Sequence, residues 1–122
     1  MKFEDVRKRE AQHILPVAAR MPVALVSGRG SRVTDVEGRE YVDLTSGWGV
    51  CAIGHCHPAL VRAISDQAAR LMQTTNVYYT LPQLDLAEVL AEIAPRAITR
   101  SFFVNSGTEA VEGALKLAHR AT

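Results

Sequence analysis

The residues whose types and spacing carry the most chemistry are Asn105-Ser106-Gly107-Thr108-Glu109, which follow the apolar run Phe102-Phe103-Val104. A strand that breaks at a glycine turn and reopens as a helix presents unpaired backbone N–H groups and the positive end of the helix dipole at one point. Gly107 has no Cβ to hold a ligand away from the backbone, and the Ser106 and Thr108 hydroxyls can donate to anionic oxygens. Such a turn can cradle a phosphate monoester. The same residues have a second reading. Ser106-x-x-Glu109 is a capping box, in which each side chain satisfies an orphan N–H of the first helical turn, and the Glu109 carboxylate would repel a nearby phosphate. The pattern alone supports both.

Other side chains invite chemistry less strongly. Trp48 stands between Gly47 and Gly49, as an aromatic pocket wall or as a half-buried packing residue. Tyr78-Tyr79, in a polar stretch, is open to the same two readings. His55-Cys56-His57, with Cys51 nearby, suggests zinc, but adjacent ligands seldom converge on one ion and the chain has no second ligand cluster. No metal is therefore expected. The two histidines are expected to hold the loop before Pro58 through hydrogen bonds, and neither has an acidic neighbour in sequence to orient it for catalysis. Gly28-x-Gly30 lacks the third glycine of a dinucleotide motif and opens no helix, while residues 105–109 lack the lysine of a P-loop.

Proline, glycine and apolar period place the elements that must position these groups. Residues 3–20 read as a weakly amphipathic helix that ends before Pro16, with a connector running to Pro22. Strands are expected at 23–27, 32–36 and 40–44, around the Gly28-Arg29-Gly30 segment and a tight turn at Glu37-Gly38. A Gly-rich loop then carries Trp48. Pro58 opens a helix to about Met72, with Leu60, Val61, Ile64, Ala68 and Leu71 on one stripe. Pro82 opens another to about Ile93, and Pro95 closes it. Phe102-Phe103-Val104 reads as a strand covered on both faces, followed by a helix from Gly107 to about Arg120. A strand of that kind needs parallel neighbours reached through crossovers, and these 122 residues offer one such strand with its helix. The expected architecture is α/β and incomplete.

Composition narrows the classes. A net charge of +1, with scattered basic residues, gives no electrostatic case for nucleic acid or an anionic membrane. No apolar stretch is long enough for a bilayer, and the first twenty residues lack the apolar core of a secretory signal. Acidic residues among the basic ones argue against a mitochondrial presequence. Cys51 and Cys56 are accordingly expected as free thiols in a cytoplasmic protein.

Taken in order, these segments resemble one family, the class III (ornithine/acetylornithine-type) pyridoxal-phosphate-dependent aminotransferases of PLP fold type I. Asp43-Leu44-Thr45-Ser46-Gly47-Trp48 and Gly54-His55-Cys56-His57-Pro58 resemble that family's N-terminal signature. Thr75-Asn76-Val77-Tyr78-Tyr79 follows at the expected distance. Asn105-Ser106-Gly107-Thr108-Glu109-Ala110-Val111-Glu112 resembles the phosphate cup, and Leu115-Lys116-Leu117-Ala118 the helix behind it. Four motifs in family order and spacing are specific where each alone is weak.

The resemblance implies pyridoxal 5'-phosphate as cofactor, with its phosphate on Ser106, Gly107 and Thr108. It implies Trp48 at the pocket wall against an amino-acid substrate, and Tyr79 in a loop bordering the pocket. It implies amino transfer between an acetylornithine-like donor and a 2-oxo acid by a homodimer. It assigns residues 1–57 to an N-terminal helix, meander and Gly-rich loop, and 58–122 to the start of the cofactor-binding large domain. In one respect the chain departs from the pattern. The family's chemistry needs a Schiff-base lysine and an acid paired with the pyridine nitrogen. Lys2, Lys8 and Lys116 are the chain's lysines, and none matches, so the chain is expected to be an N-terminal portion, inactive alone. An aminomutase or decarboxylase on the same fold, or a non-catalytic anion-binding or interaction module, is the alternative.

Overall fold

Prolines and glycines set where the elements begin and end. The computed structural model describes residues 1–122. Helix α1 spans Phe3–His13, opening where the Asp5 carboxylate accepts the Lys2 backbone N–H at 3.1 Å. It stops at an extended Ile14, two residues before Pro16, whose ring disfavours helical backbone in the residue before it. Strands β1 (Leu25–Arg29), β2 (Arg32–Asp35) and β3 (Glu40–Val42) form an antiparallel meander in chain order. Helices α2 (Pro58–Arg70), α3 (Leu81–Ile93) and α4 (Gly107–Ala121) follow. Pro58 is the first residue of α2 and Pro82 the second of α3, positions where the missing N–H costs nothing.

The three helices fall where apolar period and proline placement put them. The strands shift by small amounts. β1 begins two residues later than the sequence suggests, because the hairpin reverses at Gly30-Ser31, with Gly30 at φ +58°, and Gly28-Arg29 belongs to the strand itself. A slip in register between Leu25 and Ser27 bulges the same strand. β3 ends at Val42, since Asp43 turns its backbone N–H to the Ser31 carbonyl at 2.8 Å and its carboxylate to the loop beyond.

One expectation fails. Residues 102–104 form no strand. A parallel strand exists only through hydrogen bonds to neighbours, and these residues have none to pair with. Phe102 instead lies over α4, where a Cβ added at Gly113 would stand 3.4 Å from its ring.

The meander is organised by a carboxylate. Asp35 is 2% exposed and accepts four hydrogen bonds: the N–H groups of Glu37 and Arg39 at 2.9 Å, Arg39 Nε at 2.8 Å and the Tyr41 hydroxyl at 2.8 Å. Burial pushes its pKa up, but the Arg39 backbone and guanidinium, the Tyr41 hydroxyl and the Glu37 N–H outweigh burial and hold it well below the usual carboxylate range. Gly38, at φ +83°, lets the β2–β3 connection curl tightly enough for those donors to converge.

Apolar burial is sparse. Val33 is the one buried apolar residue, and no residue of the four helices is buried. The stripe residues Leu60, Ile64, Leu84 and Val89 are all exposed. The accessible surface is 11395 Å². The chain divides into two compact units, Met1–Met72 and Gln73–Thr122. The first unit holds α1, the meander and α2, and the second α3 and α4.

With these apolar stripes left in water, the isolated 122-residue chain is expected to self-associate. Sedimentation velocity should show association or loss of soluble material with rising concentration. A monodisperse monomer that unfolds cooperatively in calorimetry would contradict this.

Candidate functional site

In the first unit the site residues lie on the loop between β3 and α2. Residues 46–49 take four consecutive positive φ values: Ser46 +48°, Gly47 +57°, Trp48 +60° and Gly49 +85°. This is a left-handed turn. Glycine enters it freely, whereas serine and tryptophan each carry a steric cost on the order of 1–3 kcal/mol there. The turn is closed by Cys51 N–H to the Ser46 carbonyl at 2.9 Å and Gly49 N–H to the Thr45 carbonyl at 3.3 Å. Trp48 sits at its apex, 100% exposed.

What tethers the turn is a carboxylate. Asp43 Oδ1 accepts the Thr45 N–H at 2.9 Å, the Thr45 hydroxyl at 2.7 Å and the Ser46 N–H at 3.0 Å. Its Oδ2 lies 2.7 Å from His55 Nε2. The Thr45 hydroxyl, the His55 imidazole and the Thr45 N–H, against an opposing effect of burial, hold the Asp43 carboxyl well below its usual range. His55 is in turn locked to the hairpin. Its N–H donates to the Gly30 carbonyl at 2.8 Å, and its own carbonyl accepts the Gly30 N–H at 2.9 Å. The imidazole lies over Gly28, where an added Cβ would meet His55 Cγ at 2.9 Å. A Cβ at Gly54 would strike the Gly30 backbone at 2.9–3.0 Å. Gly28 thus makes room for the imidazole and Gly54 for the Gly30 backbone, while Gly30 serves the hairpin turn through its positive φ, and His55 holds the loop as expected. Its acidic partner is Asp43, twelve residues away, which a search among sequence neighbours misses. His57 begins α2 as its cap residue, without a side-chain capping bond. No group of three or more histidine, cysteine or acidic residues could hold a metal ion. Cys51 and Cys56 are free.

In the second unit the structure brings Ser106, Gly107 and Thr108 together at the start of α4. Ser106 caps the helix, and the capping box is half made: Ser106 Oγ accepts the Glu109 N–H at 3.2 Å, while Glu109 Oε2 accepts the Ser106 hydroxyl at 3.2 Å and the N–H of Asn105, rather than that of Ser106, at 2.8 Å. The N–H groups of Gly107 and Thr108 have no protein acceptor, and the space a Cβ would take at Gly107 is open. The Ser106 hydroxyl stabilises the turn, while Gly107 and Thr108 hold the free donors that an anion needs. Tyr79, fully exposed, borders an open cavity of about 450 Å³ with Asn76, Tyr78, Leu84, Ser101 and Phe103. Lys116 lies along α4, paired with Glu112 at 2.7 Å and exposed.

A strained loop displaying an aromatic ring and a glycine-opened helix start with free N–H groups occur here in one chain, and the aminotransferase class-III family profile matches residues 14–122. The chain belongs to the class-III aminotransferase family. It is 48% identical over 118 residues to the acetylornithine aminotransferase of Methanopyrus kandleri, covering 97% of this chain and 30% of that protein. The Methanocaldococcus jannaschii acetylornithine aminotransferase is 47% identical over 98% of the chain and 30% of its own length. The chain thus spans about 30% of the length of these relatives. Among solved structures, the acetylornithine aminotransferase of Elizabethkingia anophelis superposes with a TM-score of 0.90 at 32% identity, over 97% of this chain and 30% of that one. The ornithine aminotransferase of Toxoplasma gondii, crystallised with oxidised glutathione, superposes with a TM-score of 0.89 at 33% identity, over 96% and 27%, and carries PLP at partial occupancy in its active site.

The depressed carboxyls give this class-III chain an acid limit. A group whose pKa is lower folded than unfolded contributes stability that is complete above its unfolded value and is lost as pH falls toward the folded one. For Asp43 and Asp35 that loss begins below the ordinary 3.8. Hydrogen exchange should show the Gly30 and His55 amides protected down to about pH 4 and exposed progressively below it. Protection lost already near neutral pH would show that these carboxylates do not hold the loop.

Proposed function

We propose that the protein is a pyridoxal-phosphate-dependent aminotransferase to which these residues contribute the N-terminal part. It moves an amino group between an acetylornithine-like amino acid and a 2-oxo acid. The observation that carries the reading is the single class-III match running through both the Trp48 loop and the α4 turn. The names of the relatives favour an acetylornithine-type donor.

The α4 turn suits the cofactor's phosphate. The Gly107 and Thr108 N–H groups and the Thr108 hydroxyl supply donors, and the helix dipole adds a favourable field. Ser106 and Glu109 fix the turn so that those donors are oriented before an anion arrives. When bound, the cofactor supplies the electron sink that lets an amino acid lose its α-proton. Trp48, exposed at the apex of its turn, is offered as an aromatic wall for the substrate, and Tyr79 borders the cavity of its own unit. The exposed apolar faces fit a homodimer. The proton-moving lysine is not among Lys2, Lys8 and Lys116, since Lys116 is tied to Glu112 on the α4 surface.

Two outcomes are expected. The purified 122-residue chain transfers no amino group in a coupled assay, and measurable turnover with intact contaminant excluded would contradict the lysine argument. In the full-length enzyme Gly107→Val weakens pyridoxal phosphate retention about tenfold or more, because the added side chain enters the space above the N–H groups. The open surroundings of Gly107 let the fold accept the change. Unchanged retention, followed by absorbance through dialysis, would leave the turn as a capping box alone.

A further inference from the structure

We infer that Asp43 and His55 are positioning residues that hold Trp48 in its left-handed turn and thereby set recognition of the amino donor. This rests on the aminotransferase reading.

The strain at Trp48 is otherwise unexplained. Tryptophan is bulky and disfavours φ +60°, yet its ring is fully exposed and returns no packing among these residues. Backbone strain persists only where surrounding contacts over-determine it. Here the contacts are identifiable. Asp43 binds the two N–H groups that enter the turn, those of Thr45 and Ser46, together with the Thr45 hydroxyl. Its second oxygen meets His55, whose backbone is bridged to Gly30 and whose ring rests on Gly28. On the far side, Cys51 donates its N–H to Ser46, and its Sγ would lie 3.4 Å from a Cβ placed at Gly47. The hairpin is therefore the anchor, the Asp43–His55 pair the clasp, and Trp48 what it displays. Release of the clasp leaves the ring present but frees the turn to relax to negative φ, which carries the side chain elsewhere. The expected effect falls on substrate binding rather than on cofactor retention, because the phosphate turn lies in the other compact unit.

The test uses the full-length enzyme with three substitutions. His55→Leu removes the imidazole N–H while keeping an apolar body over Gly28. His55→Gln places an amide nitrogen where Nε2 stands and should restore the pair. Thr45→Val removes the hydroxyl donor alone and is the milder variant should His55→Leu fail to fold. Expected for His55→Leu is a rise of about tenfold or more in KM for the amino donor, with kcat and pyridoxal phosphate retention within about threefold of wild type, alongside faster exchange of the Cys51 amide. Thr45→Val should move KM and exchange in the same direction by less, and His55→Gln should recover most of the loss. Equal falls in kcat and cofactor retention would mark a general structural defect and overturn the proposal. So would an unchanged KM despite loosened exchange, or exchange that does not change. If the wild-type enzyme transferred no amino group, the aminotransferase reading would fall, while the exchange comparison would still uphold or overturn the clasp.

Discussion

Carboxylates, more than apolar packing, hold the first unit in shape. Val33 is its one buried apolar side chain, yet Asp35 and Asp43 each gather four hydrogen-bond donors from segments that would otherwise be free loops. An ionised acceptor makes bonds roughly twice as strong as a neutral one, and the backbone donors here, from Glu37, Arg39, Thr45 and Ser46, all flank turns. Asp35 closes the β2–β3 connection from inside. Asp43 does the same for the loop after β3 and extends its hold, through His55, back to the first hairpin. Remove the second carboxylate and the strands could persist, but the strained loop would have no tether.

This explains which parts of the fold were legible in the sequence. α2, α3 and α4 each start at a proline or a serine cap and repeat their apolar residues at helical spacing, so local rules sufficed. The meander was legible for the same reason, to within two residues at its ends. The Asp43–His55 pair was not. Its members are twelve residues apart, and only the β-meander folds them together. A signal did exist. Gly28 and Gly54 are hard to explain as turns alone, and their shared reason is that an imidazole and the Gly30 backbone crowd against them.

The failed strand has a different physical origin. Phe102-Phe103-Val104 has a composition suited to a covered strand, but composition states what environment a segment tolerates, not what it has. Strand geometry is a property of a pair. With no parallel neighbour among these residues, the segment stays irregular, and the Phe102 ring lies beside Gly113 of α4 while remaining largely exposed. The relatives, of which this chain spans about 30%, are long enough to hold further strands.

The two candidate segments, one in each compact unit, are held in shape by opposite means. At α4 the backbone is relaxed: Ser106 and Glu109 satisfy each other and Asn105, and the donors left over at Gly107 and Thr108 are those that any helix start leaves. Such a turn exists with or without a ligand, which is why the capping box and the phosphate cup were one pattern in the sequence. At residues 46–49 the backbone is strained, and its geometry depends on bonds made elsewhere. On the reading proposed above, the relaxed turn suits a group bound throughout a reaction cycle, because nothing needs to be rebuilt when it arrives. The strained loop would suit a group that changes each cycle, since a small change in its tether would alter how an aromatic ring is displayed.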